Sequence, residues 1–248
     1  MTRCVIGLLA AAVLAAPAAA RDKAAEDVVN KAIGAHGGKD LLTKLVAGTY
    51  SMEGKLSVGG MTLPFTGSVA YQLPDKLRQE LKIGPAGAEV PVVVVANGDK
   101  VSQRIMGQAS PVPNDVKEEV RQGVLAQEVT QLTPLLNASR FTLKAEADAQ
   151  VGGKPAAVVL VTAKGLNDTR LYFDKATGLL VKTVRKALSP DGKQVEEETI
   201  VSDYTKVSGV SVPKKITVNH DGKLFLEADM TNYKLAEKLD AKTFDTGD

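Results

Sequence analysis

Short alternating runs closed by turn residues are the feature that most narrows what this chain can become. In "DTRLYFDKATGLLVKTVRK", Leu171 and Phe173 point one way and Arg170 and Tyr172 the other. A Gly-containing loop follows, and Leu179, Val181 and Thr183 then alternate with Leu180, Lys182 and Val184. A period of two marks a strand with one buried face, and two such runs around a tight loop make a β-hairpin. The same unit recurs at Thr49–Val58, Thr62–Gln72, Lys76–Ile83, Val90–Ala96 and Lys100–Met106. It resumes at Phe141–Ala147, Ala156–Ala163, Thr169–Phe173, Leu179–Ala187, Val195–Tyr204, Lys215–His220 and Lys223–Leu235. The connectors are turn chemistry, among them Gly59-Gly60, Pro74-Asp75, Gly84-Pro85, Gly152-Gly153, Ser208-Gly209 and Asp221-Gly222.

Two segments break the pattern. Asp22–His36 carries Ala25, Val28, Val29, Ala32 and Ile33 at helical spacing, stopped by Gly37-Gly38, and Lys39–Leu45 adds a further short turn. Pro113–Gln131 places Val116, Val120, Val124 and Leu125 at three- to four-residue spacing, with Asn114 or Asp115 available as a cap. No βαβ alternation and no Pro/Ser/Gly linker divides the chain. The expectation is one α+β, β-rich domain. It has a single strongly curved antiparallel sheet, an unclosed half-barrel, with an N-terminal helix and an internal helical lid or plug. Val90–Ala96 is apolar without alternation, which reads as a central strand.

The first twenty residues give the address. A short positive start at Arg3, an apolar run over Cys4–Ala16 and the A-x-A site Ala18-Ala19-Ala20 read as a secretory signal cleaved near Ala20. Residues 1–20 are then the signal and 21–248 the mature domain, placed in the periplasm. Cys4 is the one cysteine, so the mature chain has no thiol, no disulfide and no cysteine nucleophile. Without Arg3 it keeps 31 − 1 = 30 basic against 29 acidic residues. That balance, with no tryptophan, argues against nucleic acid as a partner.

Catalytic chemistry is thin. His36 at a helix end and His220 beside Asp221-Gly222 read as solvated residues, and no G-x-S-x-G accompanies them. Two distant histidines make a poor zinc site, and no other metal or cofactor set is present. Glu118-Glu119 reads as the solvated face of a helix, and Glu196-Glu197-Glu198 points to alternate sides of a strand. Asn97-Gly98-Asp99 reads as a type I′ hairpin turn rather than a calcium loop. A non-enzymatic protein is the expectation, and what remains is one apolar sheet face that something must cover.

The order of elements adds to this. "FTGSVAYQLPDKLRQEL" (Phe65–Leu81), "VVVVANGDKVSQRI" (Val92–Ile105) and then the helical insert resemble the LolA/LolB-type lipoprotein carriers and the broader outer membrane lipoprotein-sorting group. Gly67, Pro74, Leu77, Arg78, Asn97, Gly98 and Asp99 fill that pattern, and "LYFDKATGLLVK", "SDYTKVSGVSVPKKI" and Phe244-Asp245 also look like the group. The resemblance implies a curved sheet plugged by helices, sheltering acyl chains of a lipid or lipoprotein, with an envelope membrane protein as a further partner. Where the carriers place a lid-latching arginine before the strand proline, this chain has Leu73.

Two functions follow. In the first, a monomeric carrier or sensor lines its cavity with Phe65, Val69, Leu77, Leu81, Val93, Val95, Leu171, Phe173 and Leu226, and closes it with Val116, Val120 and Val124. In the second, a module of the same fold has a filled core, binds no ligand and recognises an envelope protein through its edges. The exported form should begin near Arg21 and titrate no thiol. Intact mass and thiol titration check this, and a retained reactive Cys4 would refute the signal reading.

Overall fold

The computed structural model describes residues 22–247, so the expected signal and its cleavage site lie outside the described residues. Two helices lead, α1 (Lys23–His36) and α2 (Lys39–Lys44). Six strands follow: β1 (Ala47–Val58), β2 (Met61–Gln72), β3 (Lys76–Ile83), β4 (Val90–Asn97), β5 (Lys100–Ile105) and β6 (Gln108–Ser110). The helix α3 (Asn114–Thr130) and a short 3-10 turn (Thr133–Leu136) interrupt them. Then come β7 (Thr142–Val151), β8 (Lys154–Ala163), β9 (Leu166–Asp174), β10 (Leu180–Leu188) and β11 (Gln194–Ser202). The chain closes with β12 (Thr205–Val207), β13 (Val210–Val212), β14 (Lys215–His220), β15 (Lys223–Ala236) and a second 3-10 turn (Ala241–Phe244).

Thirteen strands form one sheet in the order β6-β5-β4-β3-β2-β1-β15-β14-β11-β10-β9-β8-β7, and β12 pairs with β13 apart from it. Every pairing is antiparallel. The expected β-rich α+β class and hairpin ladder are therefore observed, with strand bounds within a few residues of the alternating runs. The short strands β6, β12 and β13 are too brief to show a period and were not expected. β4 is third from the β6 edge rather than central.

Turn chemistry sets the ladder. Paired positive φ angles at Gly59-Gly60 (58° and 79°), Gly152-Gly153 (56° and 75°) and Asp221-Gly222 (48° and 73°) mark type I′ turns, whose twist suits flanking strands. Asn97 pairs with Lys100, so Gly98 and Asp99 are the central residues of that turn, and Gly98 alone has a positive φ (60°). The expected I′ turn is thus corrected to the II′ pattern.

α1 is fixed at both ends. Asp22 Oδ1 accepts from the Ala25 N–H at 3.1 Å, while its Oδ2 accepts from Ala145 N–H on β7 at 2.8 Å. Those bonds, Ala145 first, hold the Asp22 carboxyl below its usual pKa. Gly37 and Gly38 adopt φ of 131° and 90°, and the Gly38 N–H reaches Ile33 O at 2.9 Å, the 6→1 bond of a Schellman cap. Ala25, Val29, Ala32 and Ile33 are buried against the main core, which also takes Val159, Val161, Leu171 and Phe173. α3 starts at Pro113 without a side-chain cap, and Asp115 instead accepts from the adjacent Val116 N–H.

A second cluster forms around Leu56, Phe65 and Ala228. A third lies on the opposite side of the sheet, where Ala70 and Val95 pack on Phe244 of the C-terminal 3-10 turn. β1 and β15 approach so closely that a Cβ on Gly54 would stand 1.9 Å from Glu227 O and 2.6 Å from Ala228 Cα. Only glycine fits there. Gly54→Ala should therefore lower stability by about 3 kcal/mol, read as a fall in the urea midpoint at constant slope. An unchanged midpoint would mean the two strands have room to part.

Candidate ligand-binding cavity

Strand register decides which side chains meet. On the face that carries Tyr71, the pairs Tyr71↔Leu77, Gly67↔Leu81 and Phe65↔Ile83 run across β2 and β3, and Leu77↔Ala96 and Leu81↔Val92 continue into β4. Opposite β2, Tyr50↔Val69, Met52↔Gly67 and Leu56↔Leu63 place Tyr50, Met52 and Leu56 of β1 on the same face. Met52↔Met230 and Leu56↔Leu226 extend that face to β15, and Ile216↔Ala228 extends it to β14. This inner face is the one covered by the helices.

A cavity of ≈ 200 Å³ lies between the middle of this face and the helices. Leu42 and Leu45 come from α2 and its cap, Gln127, Thr130 and Gln131 from α3 and its end, and Val210, Ser211 and Val212 from β13. Tyr50, Tyr71, Met230, Tyr233, Ile216, Thr199 and Val201 form the sheet side. Four of the chain's five tyrosines (Tyr50, Tyr71, Tyr204 and Tyr233) line it.

Local backbone choices aim these rings. Gly48 pairs with Tyr71, and a Cβ on Gly48 would come within 2.9 Å of the Tyr71 hydroxyl, so the glycine leaves room for the ring to lie across β1. On β15, Asn232 takes a φ of 54°, and the β1 register jumps there from Ser51↔Thr231 to Thr49↔Lys234. The extra residue is a β-bulge that turns Tyr233 to the same face as Met230. The rings make one aromatic group, Tyr50 to Tyr233 at 5.2 Å and Tyr50 to Tyr71 at 6.5 Å between centroids.

Two hydroxyls are committed. Tyr204 donates to Leu180 O at 2.7 Å, and Tyr233 donates to Pro213 O at 2.8 Å. Among the described residues, no protein group makes a hydrogen bond with the hydroxyl of Tyr50 or of Tyr71, although Tyr71 is only 7% exposed. Burial pushes the Tyr71 phenol up to about 12 and raises the other three as well, so all four are neutral O–H groups at physiological pH.

His36 corrects the expectation of a solvated helix end. It is 7% exposed and forms part of the cavity wall. Its Nδ1 donates to Ala32 O at 2.8 Å, its Nε2 accepts the Leu180 N–H at 3.5 Å, and Tyr204 meets it edge-on. Burial, outweighing the bond to Ala32, pulls its pKa below the ordinary 6.5. His220 is not solvated either; it stacks on Phe225 at 4.1 Å and lies 3.4 Å from Glu197.

The expected solvated acidic face of α3 is likewise corrected at Glu119. Arg185, its side chain 9% exposed, donates through Nη2 to Glu119 and through Nε to Glu197, at 2.7 and 2.8 Å. Glu119 also accepts the Leu188 N–H at 2.8 Å. Gln122 donates to Gly165 O and accepts from Asn167 N–H, at 2.7 and 2.8 Å. Beyond the helix, Gln131 donates to the Leu42 and Leu45 carbonyls at 2.8 and 3.1 Å. Val124 and Val129 are buried in α3, whereas Val116 and Val120 are half-buried.

None of the nine side chains expected to line a cavity borders this one. Phe65, Val69, Leu77, Leu81 and Leu226 share its face, with Phe65 in the second core cluster and Leu81 and Leu226 packed against it. Leu171 and Phe173 are fully packed under α1 in the main core. Val93 and Val95 face the other way, because Val92 and Ala96 are the β4 residues in register with Leu81 and Leu77. Val95 packs on Phe244 instead, so the nine lie on two faces. The tyrosines were missed because they fall singly on β1, β2 and β15, and a bulge hides the parity of Tyr233.

A group whose folded pKa is depressed below its unfolded value favours folding above the unfolded value and opposes it below. The His36 contribution should thus be complete above about pH 6.5 and fall away as pH drops below it. His36→Gln should flatten the loss of the urea midpoint between neutral and mildly acidic pH. An identical slope in both proteins would place the sensitivity elsewhere.

No family model and no curated protein sequence matches the chain. Solved structures do. A DUF1329 family protein from Desulfovibrio piger superposes with a TM-score of 0.57 at 11% identity, covering 89% of this chain and 97% of that one. A LolA superfamily protein from Nitrosomonas europaea gives the same values, 0.57, 11%, 89% and 97%. A domain from Vibrio parahaemolyticus, described as an outer membrane lipoprotein-sorting protein, gives 0.50 at 10% identity over 88% of this chain and 94% of that one. The sheet and its covering helices thus have the fold of the LolA superfamily and of outer membrane lipoprotein-sorting domains.

Proposed function

We propose that this chain is an exported, periplasmic, non-enzymatic carrier or sensor that shelters acyl chains of a lipid or lipoprotein between its inner sheet face and α3. The observation that carries the reading is the tyrosine-lined apolar cavity, set under a helix held by polar ties as well as by Val124 and Val129. Burying each methylene contributes roughly 0.8 kcal/mol, so a long acyl chain supplies ample driving force without shape recognition.

The size of the cavity defines what must move. At ≈ 200 Å³ it exceeds the ~150 Å³ that accepts a benzene ring but falls below the ~300 Å³ at which drug-sized sites begin. A whole acyl chain needs α3 to shift, or must run on along Met52, Phe65, Leu81 and Leu226 toward the far end of the inner face, the route that the Phe65, Val69, Leu77 and Leu81 row supports. Contacts of α3 favour a sheet that curls around it. Arg121 reaches Asp99 in the β4–β5 turn at 3.6 Å, while Glu119 holds Arg185 of β10. In a flat sheet those strands would be roughly 35 Å apart. Val120 and Val124 then belong to the movable cover.

The alternative is a module with no ligand that recruits an envelope protein by adding a strand to the edge of β7, beyond the Ala145 N–H that Asp22 holds. Amide exchange separates the two. Residues 114–130 should exchange faster than β3 and β4, Glu119→Gln should speed them further by removing half of the Arg185 clamp, and added acyl lipid should slow them. Native mass spectrometry of the purified protein should show co-purifying acyl lipid. Equal protection in helix and strands, unaltered by any acyl probe, would replace the carrier with the edge-binding module.

A further inference from the structure

We propose that the cavity selects a neutral acyl ester or amide, whose carbonyl oxygen accepts hydrogen bonds from the Tyr50 and Tyr71 hydroxyls. This rests on the carrier reading and names its ligand class. Each phenol has one proton to donate. Those of Tyr204 and Tyr233 go to Leu180 O and Pro213 O, so they offer a ligand only lone pairs. Tyr50 and Tyr71 keep theirs, on rings that line the same cavity and stand 6.5 Å apart. Neither hydroxyl oxygen is sealed away from accessible space, so an acceptor on the ligand would take each free O–H. A plain hydrocarbon would not.

Charge narrows the class. Among the described residues, the lining holds no Lys, Arg, Asp or Glu. His36 has both ring nitrogens engaged by Ala32 and Leu180, and its burial opposes protonation. Gln131 has its amide N–H groups on the Leu42 and Leu45 carbonyls, and Ser211 donates to Ala35 O at 3.1 Å. A carboxylate or phosphate here would be a desolvated anion without a cation, which is far more costly than a carbonyl with two neutral donors. The acceptor that fits is therefore uncharged, as in an esterified or amide-linked acyl chain. A free fatty acid would have to enter protonated.

Three probes of equal length test this on the mature protein: a pyrene-labelled lauroyl methyl ester, its free acid and the pyrene-labelled alkane. At neutral pH the wild type should bind the ester at least about tenfold more tightly than the acid. Tyr50→Phe and Tyr71→Phe should each weaken ester binding about five- to tenfold and leave alkane binding unchanged. Because these hydroxyls have no protein partner, both variants should keep the wild-type Tm, whereas Tyr204→Phe and Tyr233→Phe should lower it. Ester affinity untouched by either Phe variant, equal loss for ester and alkane, or acid binding as tight as ester would each overturn the ligand class while sparing the carrier. If none of the three probes binds the wild type, the carrier reading fails with it.

Discussion

Polar groups at its flanks tie α3 down, in addition to the apolar packing of Val124, Leu125 and Val129. Arg185 makes one of those ties. It rises from β10 between Glu119 of α3 and Glu197 of β11, so one guanidinium joins the helix to two strands. Desolvating an arginine is tolerable only where its fork is matched, and two carboxylates do that. Gln122 and Gln131 repeat the device farther along, each binding main-chain groups of another element. With such ties the helix can stand off the middle of the sheet, and Tyr50, Tyr71, Tyr204 and Tyr233 occupy the gap.

The same ties answer the absence of arginine before Pro74. In this chain Leu73 cannot clamp a helix, but Arg185, more than a hundred residues later, does. A helix held through charge and amide contacts also opens differently from one held by a greasy stripe. Breaking it exposes groups that water solvates well, so partial release costs less than stripping Leu or Phe from a core.

Much of the architecture was legible because hairpins write themselves locally. A period of two and a glycine pair state the strand, its partner and its direction within about twenty residues, and α1 carries its own caps at Asp22 and Gly37-Gly38. The site was not legible, for the opposite reason. Its residues come from α1, α2, α3, β1, β2, β10, β11, β13, β14 and β15, and only long-range register assembles them. Val93 and Val95 show the difficulty: in an all-apolar run no alternation says which residues face the helices, and the partner strand decides. Glu119 and His36 show another. A charged residue on a helix and an imidazole beside two glycines are ordinary surface features until Arg185 and Tyr204 arrive from β10 and the segment after β11.

The bulge at Asn232 reaches further than geometry. Were all these residues kept in a regular strand without the bulge, strict alternation from Met230 would turn Lys234 inward and Tyr233 outward. An ammonium group would then stand beside Tyr50 and Tyr71, and the chamber would welcome anions in place of uncharged carbonyls. One left-handed residue on β15 thus decides whether a tyrosine or a lysine faces the cavity. In this fold, ligand polarity can change through the counting of residues along β15 without any change in the side chains themselves.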